Sequence, residues 1–204
     1  MTRRLVLASD NAGKAAEIAA LLAPAGIEIV PQAAFGLESI AETGATFVEN
    51  ALLKARHAAR ASGLSAIADD SGLVVDALGG EPGIHSARYA DGAGDAANIH
   101  KLLAALQGLD ESRRSARFVC VAVLLRHAAD PLPLICQGLW EGRIGMMRRG
   151  TKGFGYDPVF IPAGELRSAA ELSPEEKNRQ SHRGRAFAKL LSRLPSSGAL
   201  QESA

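Results

Sequence analysis

Aromatic residues are scarce in this 204-residue sequence: phenylalanine, tryptophan and tyrosine together make up 4% of it. That argues against a binding surface built on aromatic anchors. The abundant alanine and glycine suit helices packed closely on a sheet. Cysteine is nearly absent, with Cys120 in "RFVCVAVLL" and Cys136 in "PLPLICQG". Neither has metal-ligand spacing and both sit in strand-like apolar runs, so buried thiols are expected, with a disulfide as the alternative. There is no excess charge of either sign: 23 Lys and Arg stand against 22 Asp and Glu, a formal charge of +1. No global field recruits nucleic acid or an acidic membrane, and any anion site must be built locally. Long apolar runs are missing too, so no segment approaches a membrane span. "MTRRLVLASDN" carries basic residues, but its apolar run is too short for a secretory leader. The expected setting is the cytoplasm.

What is present is a globular composition, 47% hydrophobic and 22% charged. The length suits one large domain or two small lobes. Strand and helix patterns alternate. Arg4–Ala8 reads as a buried strand, followed by a turn at 10–13 and a helix at Lys14–Ala23 with Ile18, Leu21 and Leu22 on one face. Ile27–Val30 is a short strand. Thr46-x-x-Glu49 is a capping box opening a helix that Gly63 closes. Ser65–Asp69 and Leu73–Asp76 read as two strands, separated by Ser71-Gly72. Ala96–Leu106 is helical, Ala116–Arg126 and Leu132–Gly138 are strands, and "HAADP" is the turn between them. The span from 172 to 194 is helical, with Ser173 as N-cap, Pro174 as first residue and Glu176 as capping partner. Together these predict an α/β protein with a long mixed central sheet flanked by helices, its two lobes set around a cleft. Residues 1–194 form one two-lobed domain in this reading, and 195–204 a disordered tail.

Five stretches carry possible chemistry. In "ASDNAGKAAEI", residues 8–18, a strand turns into a helix whose N-terminal N–H groups and nearby Lys14 suit a phosphate. A capped turn, with Ser9 or Asp10 as cap and Lys14 solvated, serves the same residues. Glu42 precedes the next helix without a structural duty, unlike Glu49. "AIADDSG" ends an apolar run on two carboxylates, Asp69 and Asp70. In a regular strand they point to opposite faces, and Ser71-Gly72 suggests that the strand breaks there. A hard divalent cation suits such oxygens, and a β-turn is the plainer alternative. "TKGFGYDPVF" alternates Phe154 and Tyr156 with glycines, either a surface on which a base could stack or a hairpin tip with two core aromatics. "EEKNRQSHRGRAF" crowds Lys177, Arg179, His182, Arg183 and Arg185 into a short span. That is either a solvated helix face or a set of donors to a base. As a set, the five describe a nucleoside triphosphate site.

"SDNAGKAAEI", "ETGATFVENALLKA", "AIADDSGLVVDALGGEPGIHSARYA", "GTKGFGYDPVF" and "AAELSPEEKNRQSHRGRA" resemble, in order and across nearly the whole chain, the signature blocks of the inosine triphosphate pyrophosphatase family. Its members are dITP/XTP pyrophosphatases that cleanse the nucleotide pool. The resemblance implies a Mg²⁺-dependent hydrolase, usually a homodimer, that converts non-standard purine triphosphates (dITP, ITP, XTP) to monophosphate and pyrophosphate. By position it implies that Ser9, Asp10, Asn11, Ala12, Gly13 and Lys14 hold the triphosphate, with Lys54 as a further phosphate ligand and Ser71 touching substrate. It gives Glu42 and Asp70 as metal ligands, Asp70 also as general base, and Asp69 beside them. It assigns Phe154, Gly155, Tyr156, Asp157, Lys177, His182 and Arg183 to the nucleotide and its base. The carboxylate charge is then expected to be offset by Mg²⁺ rather than by permanent salt bridges. Two positions depart from the common pattern: Ser9-Asp10 stands where Thr-Gly is frequent, and His85 where Tyr is frequent. The alternatives are a pyrophosphatase for modified pyrimidine triphosphates and a non-catalytic nucleotide-binding protein.

Overall fold

In the computed structural model, which describes residues 3–194, six strands form one mixed sheet in the order β2-β1-β3-β4-β5-β6. The elements are β1 (Arg3–Leu7), α1 (Ala12–Leu22), β2 (Ile27–Pro31), α2 (Phe47–Ser62), β3 (Ala66–Val75), α3 (Asp95–Ala105), β4 (Ser115–Leu125), β5 (Leu134–Ile144), β6 (Phe160–Pro162), α4 (Pro174–Gln180) and α5 (His182–Ser192). β1 pairs in parallel with β2 and with β3, and β5 pairs antiparallel with β6. Residues 195–204, expected to be disordered, lie outside the described residues. No helix among the described residues is long and apolar enough to cross a membrane.

The chain divides into two compact units. The first is Met1–Asp70, Cys120–Gly138 and Arg183–Ala204; the second is Ser71–Val119 and Leu139–His182. The boundaries fall inside β3 and β4, inside β5, and at the start of α5. Each unit has its own core. In the first, Leu5 and Leu7 of β1, Ile18 and Leu22 of α1, and Phe187 and Leu190 of α5 are buried together. Each such side chain stabilises the fold by roughly 1.5–3 kcal/mol relative to exposure. In the second unit, Leu73, Ile99, Leu102, Phe118, Trp140 and Phe160 form the core. Cys120 and Cys136 are both buried free thiols, so no disulfide joins them.

The helix ends follow local chemistry. Thr46 caps α2 by accepting from the Glu49 N–H, and Gly63 closes the helix in the left-handed conformation. The Glu49 carboxylate accepts from the Thr46 hydroxyl at 2.9 Å. Ser173 and Glu176 form a full capping box on α4, with Pro174 in the first turn. Three expectations need correction. β3 is one continuous ten-residue strand, not two, because Ser71 and Gly72 remain in the ladder. The segment 70–72 is therefore strand and not a loop beyond one. β5 joins Leu132–Gly138 and "LWEGRI", both strand-like in sequence, into one strand, Leu134–Ile144. The helical span from 173 onward is divided at Ser181, whose extended backbone (φ −68°, ψ 160°) separates α4 from α5.

Candidate active site

In the first unit the parallel register of β1 and β3 pairs Leu7 with Ile67, and the Ala8 N–H donates to the Ile67 carbonyl at 2.9 Å. The chain leaving β1 therefore runs beside Asp69 and Asp70. Asn11 caps α1, its side-chain oxygen accepting the Lys14 N–H at 2.9 Å. The cap is thus Asn11, not Ser9 or Asp10. The Ser9 hydroxyl accepts from the Asn11 N–H at 3.3 Å, and Ala12 and Gly13 form the first turn of the helix. Asp10 accepts from Gln32 and from the Ser39 hydroxyl. These bonds, Ser39 first, hold its carboxyl below the usual value. Asp10 is therefore a strut between this turn and the segment after β2.

Asp69 and Asp70 are both buried, and each has its own cations. Oδ2 of Asp69 lies 3.5 Å from Lys14 Nζ and 3.3 Å from the Arg183 guanidinium. Arg183 also pairs with Glu17 of α1. Burial alone would lower the Arg183 guanidinium, but Asp69, Cys120 and Glu17 outweigh it and hold it above the ordinary value. On α2, Asn50 and Lys54 lie one turn apart on one face. Lys54 Nζ is 2.9 Å from Asp70 Oδ1 and 3.0 Å from Glu42 Oε1. Burial would lower the Lys54 ammonium; Asp70, Asp69 and Glu42 overcome that and raise it. Burial pushes the Asp70 carboxyl up, against the pull of Lys54 and Lys14. The expectation that no salt bridge offsets these acids is corrected: both are ion-paired, because the interior does not tolerate bare carboxylates.

Oxygens of Glu42 and Asp70 converge on one position, filled by an ammonium. Such a donor pair fits a hard divalent cation that retains waters and takes other ligands from a phosphate. No group of three or more His, Cys, Asp or Glu among the described residues is arranged to hold a metal. Glu42 and Asp70 meet at that position, and Asp69 lies against Arg183 and Lys14.

The second unit holds a different constellation. Lys177 Nζ of α4 lies 2.5 Å from Asp157 Oδ2 and 4.8 Å from the centre of the Phe154 ring. The same carboxylate oxygen accepts the Phe154 N–H at 3.0 Å. Gly153, at φ +73°, leaves room for it: a Cβ there would lie 2.0 Å from Asp157 Oδ2. Gly155 donates its N–H to Asp95 at 2.6 Å. Tyr156 is a core residue whose hydroxyl donates to the Ser86 carbonyl at 2.9 Å, and burial pushes its phenol up. It offers no stacking face, which corrects the expectation of two aromatics for a base and leaves Phe154. The His182 ring is buried, stacked 4.7 Å from Phe118 at an interplanar angle of 11°. Ser71 sits partly exposed within β3. His85 is exposed on a short 3-10 helix, Gly83–Arg88. Arg183, expected among the nucleotide donors, is buried against Asp69 and Glu17.

Against known proteins, the sequence profile described as the Ham1 family matches residues 5–193. This chain belongs to the Ham1 family. It is 64% identical, over 95% of its length and 97% of the relative's, to the dITP/XTP pyrophosphatase of Methylococcus capsulatus. It is 55% identical to the dITP/XTP pyrophosphatase of Shigella flexneri, over 94% of this chain and 98% of that one. Among solved structures, a HAM1 protein from Coxiella burnetii superposes with a TM-score of 0.88 at 51% identity, covering 96% of this chain and 100% of that one. A nucleoside-triphosphatase / dITP/XTP pyrophosphatase from Mycobacterium abscessus gives 0.74 at 44% identity, over 94% and 100% of the two chains.

Two residues of this Ham1 chain went unread in its sequence. Asn50, fully buried on α2, bonds Asp70. Its spacing of four from Lys54 was the available signal. Glu17 joins Arg183 across 166 residues of sequence, and no local pattern announces such a pair.

Proposed function

We propose that this Ham1 chain hydrolyses non-standard purine nucleoside triphosphates (dITP, ITP, XTP) to monophosphate and pyrophosphate, and so cleanses the nucleotide pool. The observation that carries the reading is the convergence of Glu42 and Asp70 on a single cationic position, in a chain 64% identical to a dITP/XTP pyrophosphatase. Mg²⁺, held by Glu42 and Asp70, would offset charge on the phosphate oxygens. Asp70 takes the proton from the water that attacks the α-phosphorus. A carboxyl raised by burial suits that duty better than an ordinary one. The bond from the α-phosphorus to its bridging oxygen breaks, and pyrophosphate departs with the bonding electrons. Lys14 and Lys54 supply positive charge where negative charge develops on the leaving oxygens. Phe154 and the Lys177–Asp157 pair receive the base. Hypoxanthine and xanthine present a 6-oxo group and an N1–H where adenine has an amino group and a bare nitrogen, so donors built for the former are mismatched by adenine.

The family resemblance supports a homodimer in the cytoplasm, which light scattering of the purified protein checks for the oligomer. The near-neutral formal charge supports a small-molecule substrate over nucleic acid or a membrane. The deciding assay is pyrophosphate release with Mg²⁺ from dITP, ITP, XTP, ATP, GTP and dTTP side by side. Preference for the first three is expected. Preference for dTTP would replace this reading with a pyrimidine enzyme, and no release from any would leave a nucleotide-binding protein.

A further inference from the structure

Glu42 lies in irregular chain between β2 and α2, while Asp70 lies inside β3. Side chains on two such separate segments meet at one point only if something joins the segments. Lys54 touches both carboxylates, but a flexible ammonium follows its partners and does not place them. Asn50 is fully buried one turn before Lys54. Its Oδ1 accepts the N–H of Gly44, two residues beyond Glu42, at 2.8 Å. Its Nδ2 donates to Asp70 Oδ2 at 3.4 Å, leaving Oδ1 of Asp70 to Lys54 at 2.9 Å. One orientation of the amide serves both contacts, since the Gly44 N–H needs an acceptor and the carboxylate a donor. The loop lies hard against the helix at this point. A Cβ on Gly44 would sit 2.6 Å from Glu49 Cβ and 2.7 Å from Asn50 Oδ1.

We infer that Asn50 is a positioning residue that ties the Glu42 loop to Asp70 and so holds both carboxylates on the one position they share, where a divalent cation would bind. This rests on the metal-dependent reading above. Asp70 is the base in that reading, so Asn50 acts through it and touches no reacting atom itself. An aspartate at 50 would face Asp70 with like charge, and an apolar residue would release both the loop and the carboxylate. Losing a partner of this kind lowers metal affinity or activity by about 10- to 100-fold.

The test compares wild type, Asn50→Leu and Gly44→Ala. Three quantities are read: the Mg²⁺ dependence of dITP turnover, KM for dITP at saturating Mg²⁺, and Mn²⁺ binding by electron paramagnetic resonance with the α,β-methylene analogue of dITP, where no turnover occurs. Both variants are expected to need at least about tenfold more Mg²⁺ and Mn²⁺, with KM for dITP nearly unchanged. A folded Asn50→Leu protein with wild-type metal curves overturns the inference, as does a loss of melting temperature with both metal curves unmoved. Gly44→Ala pushes the loop off the Asn50 amide while keeping that amide in the chain, and it decides the matter if Asn50→Leu does not fold. Inactivity of the wild type toward every triphosphate would sink the functional reading instead, and is thereby told apart.

Discussion

Lys54 and Lys177 are each held against a buried aspartate, Asp70 at 2.9 Å and Asp157 at 2.5 Å, yet their surroundings differ. Lys54 bridges two carboxylates. Lys177 lies between one carboxylate and the face of an aromatic ring. Desolvating an ion pair is costly in both places and is offset only by good geometry. The first arrangement brings two carboxylates to one position, the donor set that suits a hard cation with phosphates attached. The second comes close to neutrality and presents a flat, polarisable face, as an uncharged base requires. The same pair of residue types thus serves two chemistries, according to what stands third.

The largest break in that contrast is Asp70→Asn, which keeps the shape and removes the base. It is expected to lower kcat for dITP by about a thousandfold with the fold retained, read as pyrophosphate release beside circular dichroism. Wild-type turnover would remove Asp70 from the chemistry.

Next come the two lysines. Lys54→Met leaves Glu42 and Asp70 facing each other and should cost about 3 kcal/mol in urea unfolding, part of it restored by Mg²⁺. Lys177→Met strands Asp157, whose bond to the Phe154 N–H remains; about 2 kcal/mol is expected, and Mg²⁺ should restore none. Equal responses to Mg²⁺ would erase the distinction between the sites.

Gly153→Ala is a subtler probe of the second site. The new Cβ would meet Asp157 Oδ2 at 2.0 Å, at a backbone φ of +73°. Displacing that carboxylate should raise KM for dITP about fivefold, roughly 1 kcal/mol of binding, with kcat nearly unchanged. A fall in kcat at constant KM would tie Asp157 to the chemical step rather than to the base.

Asp130 supplies the smallest effect and a contrast of sign. Burial raises Asp70, whereas the Arg126 side chain, hydrogen-bonded to Asp130, holds that carboxyl well below its ordinary 3.8. A lowered carboxyl contributes stability above its unfolded value and loses it as pH falls through the folded one. Asp130→Asn should therefore be less stable than wild type at neutral pH, and the gap between their urea midpoints should close on acidification well below pH 3.8. A gap that persists in acid would assign the effect to packing.

Much of the fold was legible because its signals are local. Thr46, Gly63, Ser173 and Glu176 mark helix ends through contacts within a few residues. The turn from β1 to α1 and the Asp69-Asp70 pair stood out in the same way. The continuity of β3 was not legible. Ser71-Gly72 has the composition of a break, and it stays extended because neighbouring strands supply the ladder. Tyr156 and Phe154 look alike in sequence, and only the Ser86 carbonyl, 70 residues away, draws Tyr156 inward.

By itself, then, the sequence determined the alternation of strand and helix, the helix caps and the family. Side-chain type, period and spacing along the chain are enough for that. Tertiary structure alone decided which residues share a charge. It set Lys54 between Glu42 and Asp70, turned Arg183 onto Asp69 across 114 residues of sequence, and buried Asn50 where its amide could join a loop to a strand. The physical reason is that burial and a few ångströms of separation govern electrostatic energy, and the packing of distant segments sets both.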